Sequence, residues 1–177
     1  MNNNTPNAST FRYSRFMSTL HWLTALLVLG AYVTSEGERH VKADPPMIHF
    51  ACGLAVLVLV VPRLIVRLSS TVAEPEYGRW PWLASTARIG HGALYVLLVL
   101  VPLGGWYSLS RMGIHFSVGG MTLPAIAQAV DGPVGIVGDL HQLGGNLLLI
   151  LAGLHGVFGL WHHFLLRDNT LRRMNPF

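Results

Sequence analysis

The sequence predicts an all-α membrane protein, a four-transmembrane-helix bundle, and three observations carry that prediction. Of its 177 residues, 51% are hydrophobic and only 11% charged, too little polar surface to coat a soluble globule of this size. The apolar residues gather in four blocks, roughly 16–35, 47–67, 88–109 and 139–166. Each holds the ~20 residues that a helix needs to cross ~30 Å of hydrocarbon. The stretches between the blocks are rich in Pro, Gly or charge and leave no room for a separate soluble domain, so residues 1–177 read as one unit.

The basic residues give the orientation. Arg12 and Arg15 precede the first span, Arg63, Arg67, Arg79 and Arg88 lie at or between the facing ends of spans two and three, and Arg167, Arg172 and Arg173 follow span four. Only Arg39, Lys42 and Arg111 fall on the other side. The positive-inside rule then places both termini of a multi-pass membrane protein in the cytoplasm. The net charge of +4 is thereby explained by topology, and nucleic-acid binding is not implied.

Taken in order, span one begins after two arginines, a superficial copy of a signal peptide. It carries His21 and Trp22 and lacks an A-x-A-like cleavage site, so it is expected to be an uncleaved helix. Pro45 and Pro46 open span two, where the first turn has spare amide positions. Pro62 and Pro102 are candidate kinks. The link with Pro75, Trp80, Pro81 and Trp82 suits the headgroup zone. Between spans three and four, the segment TLPAIAQAV, Thr122 to Val130, is either a short surface helix acting as a lid or an unstructured loop.

Four histidines fall at matched depths in these spans. His21 lies near the inner end of span one and His155 deep in span four; His49 and His141 lie near the outer starts of spans two and four. His141 and His155 are fourteen residues apart, about 21 Å and within ~40° of the same helical face. His49 therefore pairs with His141 at an outer level, and His21 with His155 at an inner one. An ionisable group inside a span costs a few kcal/mol, so such a set marks a ligand array or a pathway. Imidazole is the usual axial ligand of b-type haem, and two haem b groups fit two pairs. The single cysteine, Cys52, and the absence of C-x-x-C-H leave such haems held by ligands alone. Gly53, Gly144, Gly145, Gly153, Gly156 and Gly159 stand near these histidines and would let a flat porphyrin approach, although small residues also serve helix packing.

The motifs RFMSTLHW (15–22), IHFACG (48–53), IGHGALY (89–95), LHQLGGN (140–146) and GLHG (153–156) together resemble the prokaryotic cytochrome b561 family over nearly the whole chain from Arg12. The ending WHHFLLRDNTLRRM (161–174) is most similar to its superoxide-oxidising members. The resemblance implies that His21, His49, His141 and His155 are the haem ligands. It also implies an oxidoreductase that passes electrons from superoxide, or another small outer-face donor, to ubiquinone in the membrane lipid.

Other residues are weaker candidates. His91, His162, His163 and Arg67 lie where a quinone headgroup would meet the inner level, and histidine suits proton delivery; interfacial or packing roles are the alternatives. Arg39, Lys42 and Arg111, with His40 and His115 nearby, are candidates for steering an anionic donor. Glu36, Glu38, Asp44, Asp131 and Asp139 outnumber the cations on that side, so steering requires local segregation of charge. Two further readings stay open: a cytochrome b subunit of a larger dehydrogenase or hydrogenase, and a histidine-based transporter. The spans bring essentially no intramembrane Asp or Glu for the latter.

Overall fold

The computed structural model describes residues 13–35, 46–69, 81–167 and 169–174. Four long helices dominate it: α1 (Arg15–Val33), α2 (Met47–Ser69), α3 (Pro81–Arg111) and α4 (Ile136–Phe164), followed by a short α5 (Thr170–Arg173). All four long helices are long and apolar enough to cross a membrane. Their outward faces carry Leu26, Val58, Ile65, Ile150 and Phe158 exposed, the arrangement that suits a lipid solvent.

Local chemistry sets the ends. The Ser14 side chain accepts a hydrogen bond from the Met17 amide at 3.2 Å and caps α1. At the other end of α1, the Thr34 amide and hydroxyl both donate to the Gly30 carbonyl, satisfying an acceptor that the helix leaves free. α3 begins at Pro81, seven residues before the expected 88. Proline in a first turn forfeits no hydrogen bond, so Pro81 and Trp82 belong to the helix and not to the link. Pro62 and Pro102 both lie inside continuous helices.

The helices pack as consecutive neighbours, α1 on α2, α2 on α3 and α3 on α4, while α1 and α4 meet far less. Three helices repeat a seven-residue spacing of inward positions, and α1 shares one step of it. On α2 it is His49, Val56, Arg63; on α4, His141, Leu148, His155; on α3, Gly105, Leu98, His91; on α1, His21 and Val28. Seven residues are nearly two helical turns, so these positions stay on one seam. Val56, Val60, Leu98 and Leu148 form a buried apolar cluster with Val28 packed against it. This cluster separates two polar tiers ~21 Å apart along the helices. We call the tier near the termini the terminal-end tier and the other the loop-end tier.

Small residues bring α3 and α4 together. A Cβ placed on Gly144 would lie 2.9 Å from Cγ2 of Val101, closer than packed carbons tolerate. At the terminal end the tail folds back: the Trp22 indole donates to the Met174 carbonyl at 3.0 Å, and the Tyr13 amide to the Arg173 carbonyl at 3.2 Å.

Gly144→Ala is expected to lower stability by about 1–3 kcal/mol through overpacking. Adding Val101→Ala, which removes the clashing methyl, should restore part of the loss. Thermal unfolding of the detergent-solubilised single and double variants checks this.

Candidate functional site

At the loop-end tier, His49 from α2 and His141 from α4 face one another with ring centroids 5.8 Å apart and planes at 88°. His49 Nδ1 lies 2.8 Å from the Ala31 carbonyl and His141 Nδ1 2.8 Å from the Val101 carbonyl. A carbonyl only accepts, so each Nδ1 carries the proton and each Nε2 keeps its lone pair. Such an outer hydrogen bond fixes both the tautomer and the ring orientation of a metal-binding histidine. The Ala31 carbonyl is within the last turn of α1, where acceptors are unspent. His141 approaches α3 at Gly104 and Gly105, and a Cβ on Gly105 would come within 2.9 Å of His141 Cε1.

Apolar side chains line the cavity beside this pair: Phe50, Leu54, Leu57, Leu109, Phe116 and Leu123. The last two belong to the connection between α3 and α4. That connection is not a helix at 122–130. A small hairpin, β1 (Ser117–Val118) with β2 (Met121–Thr122), turns at Gly119 and Gly120, both at positive φ, the geometry a tight two-residue hairpin loop requires. Pro124 and the next residues then run as irregular chain tied to α3. Trp106 Nε1 donates to the Pro124 carbonyl at 2.9 Å, the Ile126 amide to Ser110 Oγ at 3.1 Å, and the Val130 amide to the Arg111 carbonyl at 2.9 Å. Of the two forms the sequence left open for this segment, the irregular one is present, held by these anchors in place of helical turns.

At the terminal-end tier, His21 from α1 and His155 from α4 stand 6.1 Å apart between ring centroids, with planes at 67°. His91 from α3 adds a third imidazole, 5.0 Å from His155, its Nδ1 bonded within its own helix to the Ala87 carbonyl at 2.6 Å. Arg63 from α2 completes the tier. Its Nη2 lies 3.0 Å from His21 Nδ1, and its guanidinium carbon 5.8 Å from the Tyr95 ring centre.

Distance selects the pairs that fit a metal. Two imidazoles sharing one ion through bonds of about 2 Å place their ring centres roughly 6.4 Å apart. His49–His141 at 5.8 Å and His21–His155 at 6.1 Å are near that separation, whereas His91–His155 at 5.0 Å is well short of it. Among the described residues no group of three or more His, Cys, Asp or Glu is placed to hold a bare ion. Two nitrogens from opposite sides match a planar macrocycle that supplies the other four donors. Gly53, Gly145 and Gly159 each lie one turn beyond a tier histidine, and a Cβ on any of them would meet nothing within 4 Å. Those three glycines leave room at the tiers; Gly144 instead serves helix packing. The residues therefore fit haem.

The other expected residues are dispersed. His163 lines an open cleft of about 380 Å³ with Phe164, Arg167 and Arg172, and His162 lies one seven-residue step beyond His155 on α4. Arg67 is exposed, one turn beyond Arg63. The structure thus brings His91 into the terminal-end tier, while His163 lines the open cleft beyond it. Arg39 and Lys42 lie outside the described residues. Arg111 ends α3 half-buried, its Nε without a hydrogen-bond partner. Arg63 and Gly105 are the residues that sequence reasoning left out of the site. The available signal for Arg63 was its fourteen-residue spacing from His49, the same as that between His141 and His155.

Comparison with known proteins agrees with this geometry. The family model described as prokaryotic cytochrome b561 matches residues 12–176. The chain is 32% identical to the probable superoxide oxidase CybB of Yersinia pestis, over 93% of this chain and 96% of that protein. It is 30% identical to cytochrome b561 homolog 2 of Escherichia coli, over 97% and 93%. Identity to cytochrome b562 of Cereibacter sphaeroides is 34%, over 92% and 94%.

Trp106→Phe keeps the ring and deletes the hydrogen bond to the Pro124 carbonyl. Amide hydrogen exchange over residues 121–130 is expected to accelerate about three- to tenfold, as the loss of one hydrogen bond of ordinary strength implies, with exchange in α2 unchanged.

Proposed function

The chain belongs to the prokaryotic cytochrome b561 family, and on that premise we propose that it carries two haem b groups and moves electrons from superoxide at the loop end to ubiquinone at the terminal end. The observation that carries the reading is the pair of opposed imidazoles repeated at two levels of one bundle. Superoxide as donor is supported by the likeness to the CybB protein. A place in the bacterial inner membrane with both termini cytoplasmic is supported by the four candidate spans, the family and the arginine distribution.

His49 and His141 would hold the loop-end haem, and His21 and His155 the terminal-end one. Haem iron supplies a one-electron carrier at each tier. The carbonyls of Ala31 and Val101 keep His49 and His141 in the ligating tautomer. With His49 and His141 both committed to holding a haem, the donor would not need to bind iron, and the protein would only have to admit it beside the loop-end tier. The lid residues Phe116 and Leu123 keep water from this tier. Each superoxide loses one electron and leaves as dioxygen; two electrons and two protons from the cytoplasmic side turn one quinone into its quinol. His91, His162, His163 and Arg67 are the candidates for holding the quinone and passing those protons. Arg39, Lys42 and Arg111 are the candidates for drawing the anionic donor inward.

A pyridine haemochrome assay on the purified chain is expected to give two b haems, with His141→Ala and His155→Ala each losing one. Gly105→Ala, which drives a methyl into His141, should deplete the loop-end haem and spare the other. The purified chain alone, mixed with superoxide and a ubiquinone analogue, should form quinol rapidly. A colourless protein would sink the haem assignment, and a haem-loaded protein inert without a partner would sink the donor assignment.

A further inference from the structure

Arg63 is a buried cation in an apolar bundle, and no acid among the described residues lies at its level. It is only 8% exposed and lies six residues, ~9 Å, inside the terminal end of α2. Guanidinium stays charged at any accessible pH, so burial cannot be relieved by losing a proton. Its Nε is buried without a hydrogen-bond partner. The acids among the described residues, Asp131 and Asp139, both belong to the loop end. Glu74, Glu76 and Asp168 lie beyond the helix ends, outside the described residues. Leaving such a charge uncompensated costs several kcal/mol, so its position calls for a ligand that brings negative charge.

The hydrogen bond to His21 sharpens this. Guanidinium nitrogens only donate, so in the Arg63–His21 contact Nδ1 of His21 is the acceptor and the ring proton sits on Nε2. A histidine that binds metal through Nε2 needs the opposite tautomer, the one that carbonyl acceptors impose on His49 and His141. The Arg63 contact and metal binding at Nε2 are therefore alternatives for neutral His21. On loading, Nδ1 takes the proton, the Arg63 bond opens, and the guanidinium fork is released at that level. A haem carries two propionate carboxylates, and the fork matches a carboxylate with two parallel hydrogen bonds.

Resting on the two-haem reading, we propose that Arg63 is the propionate anchor of the terminal-end haem, and that its bond to His21 is exchanged for the carboxylate when haem binds. Arg63 thus selects a porphyrin bearing a free acid. Tyr95, stacked beneath the guanidinium, holds it at the tier in both states.

The test is a porphyrin swap in the full-length chain, produced without haem and loaded in lipid nanodiscs with protohaem or its propionate dimethyl ester. Wild type and Arg63→Gln are titrated by Soret absorbance and by reductive potentiometry. With protohaem, the variant should bind the terminal-end haem on the order of tenfold to a hundredfold more weakly, the loss of a bidentate charged pair, and its midpoint potential should fall. With the dimethyl ester, variant and wild type should bind alike, and Arg63→Lys should recover part of the protohaem affinity only. Retention of the loop-end haem in each variant reports that the bundle is folded. Equal loss with both porphyrins, or no loss with protohaem, overturns the anchor. A wild-type chain that takes up one haem or none overturns the two-haem reading instead.

Discussion

An imidazole or guanidinium inside hydrocarbon must face inward and be partnered, and that constraint organises the whole bundle. Outward, it would meet lipid that offers no hydrogen bond. The seven-residue seam satisfies the requirement on all four long helices at once, placing His49, His141, His21, His155, His91 and Arg63 in two levels. Between them Val56, Val60, Leu98 and Leu148 fill the section with apolar side chains. The separation isolates the tiers electrostatically while keeping both on shared helices.

The tiers differ in how their polar groups are satisfied. At the loop end both histidines give their Nδ1 protons to backbone carbonyls, acceptors fixed in the helices that leave each Nε2 with its lone pair. At the terminal end a mobile side chain, Arg63, holds His21. Backbone acceptors preorganise; a side-chain donor can be exchanged. The first tier is built for a ligand in one tautomer, and the second couples its tautomer to whatever anion Arg63 finds.

Close approach of α3 and α4 matters as much as the ligands. Gly144 lets Val101 in, and Gly104 and Gly105 let His141 lie against α3. Each removed methyl shortens the distance between backbones, and in lipid such packing replaces the hydrophobic drive of water. It also brings the Val101 carbonyl within reach of His141. The same two helices carry the lid, fastened by Trp106, Ser110 and Arg111 to the chain that leads into α4.

The four spans, the two histidine levels and their pairing were legible in the sequence, because hydropathy fixes which residues enter lipid and 1.5 Å per residue converts position into depth. Depth alone says nothing about angular neighbours. The early start of α3 at Pro81 was misread because proline both ends chains and opens helices. Sequence left 122–130 open between a short helix and an irregular loop, because its hydrogen bonds go to α3, a partner more than ten residues away that local propensity does not see. His91 and Arg63 joined the terminal-end tier only through the packing of α3 and α2 against α1 and α4. Sequence by itself determined how deep each ionisable group lies; tertiary structure decided which groups meet at that depth, since rotation about the helix axes is set by the packing of small residues between helices.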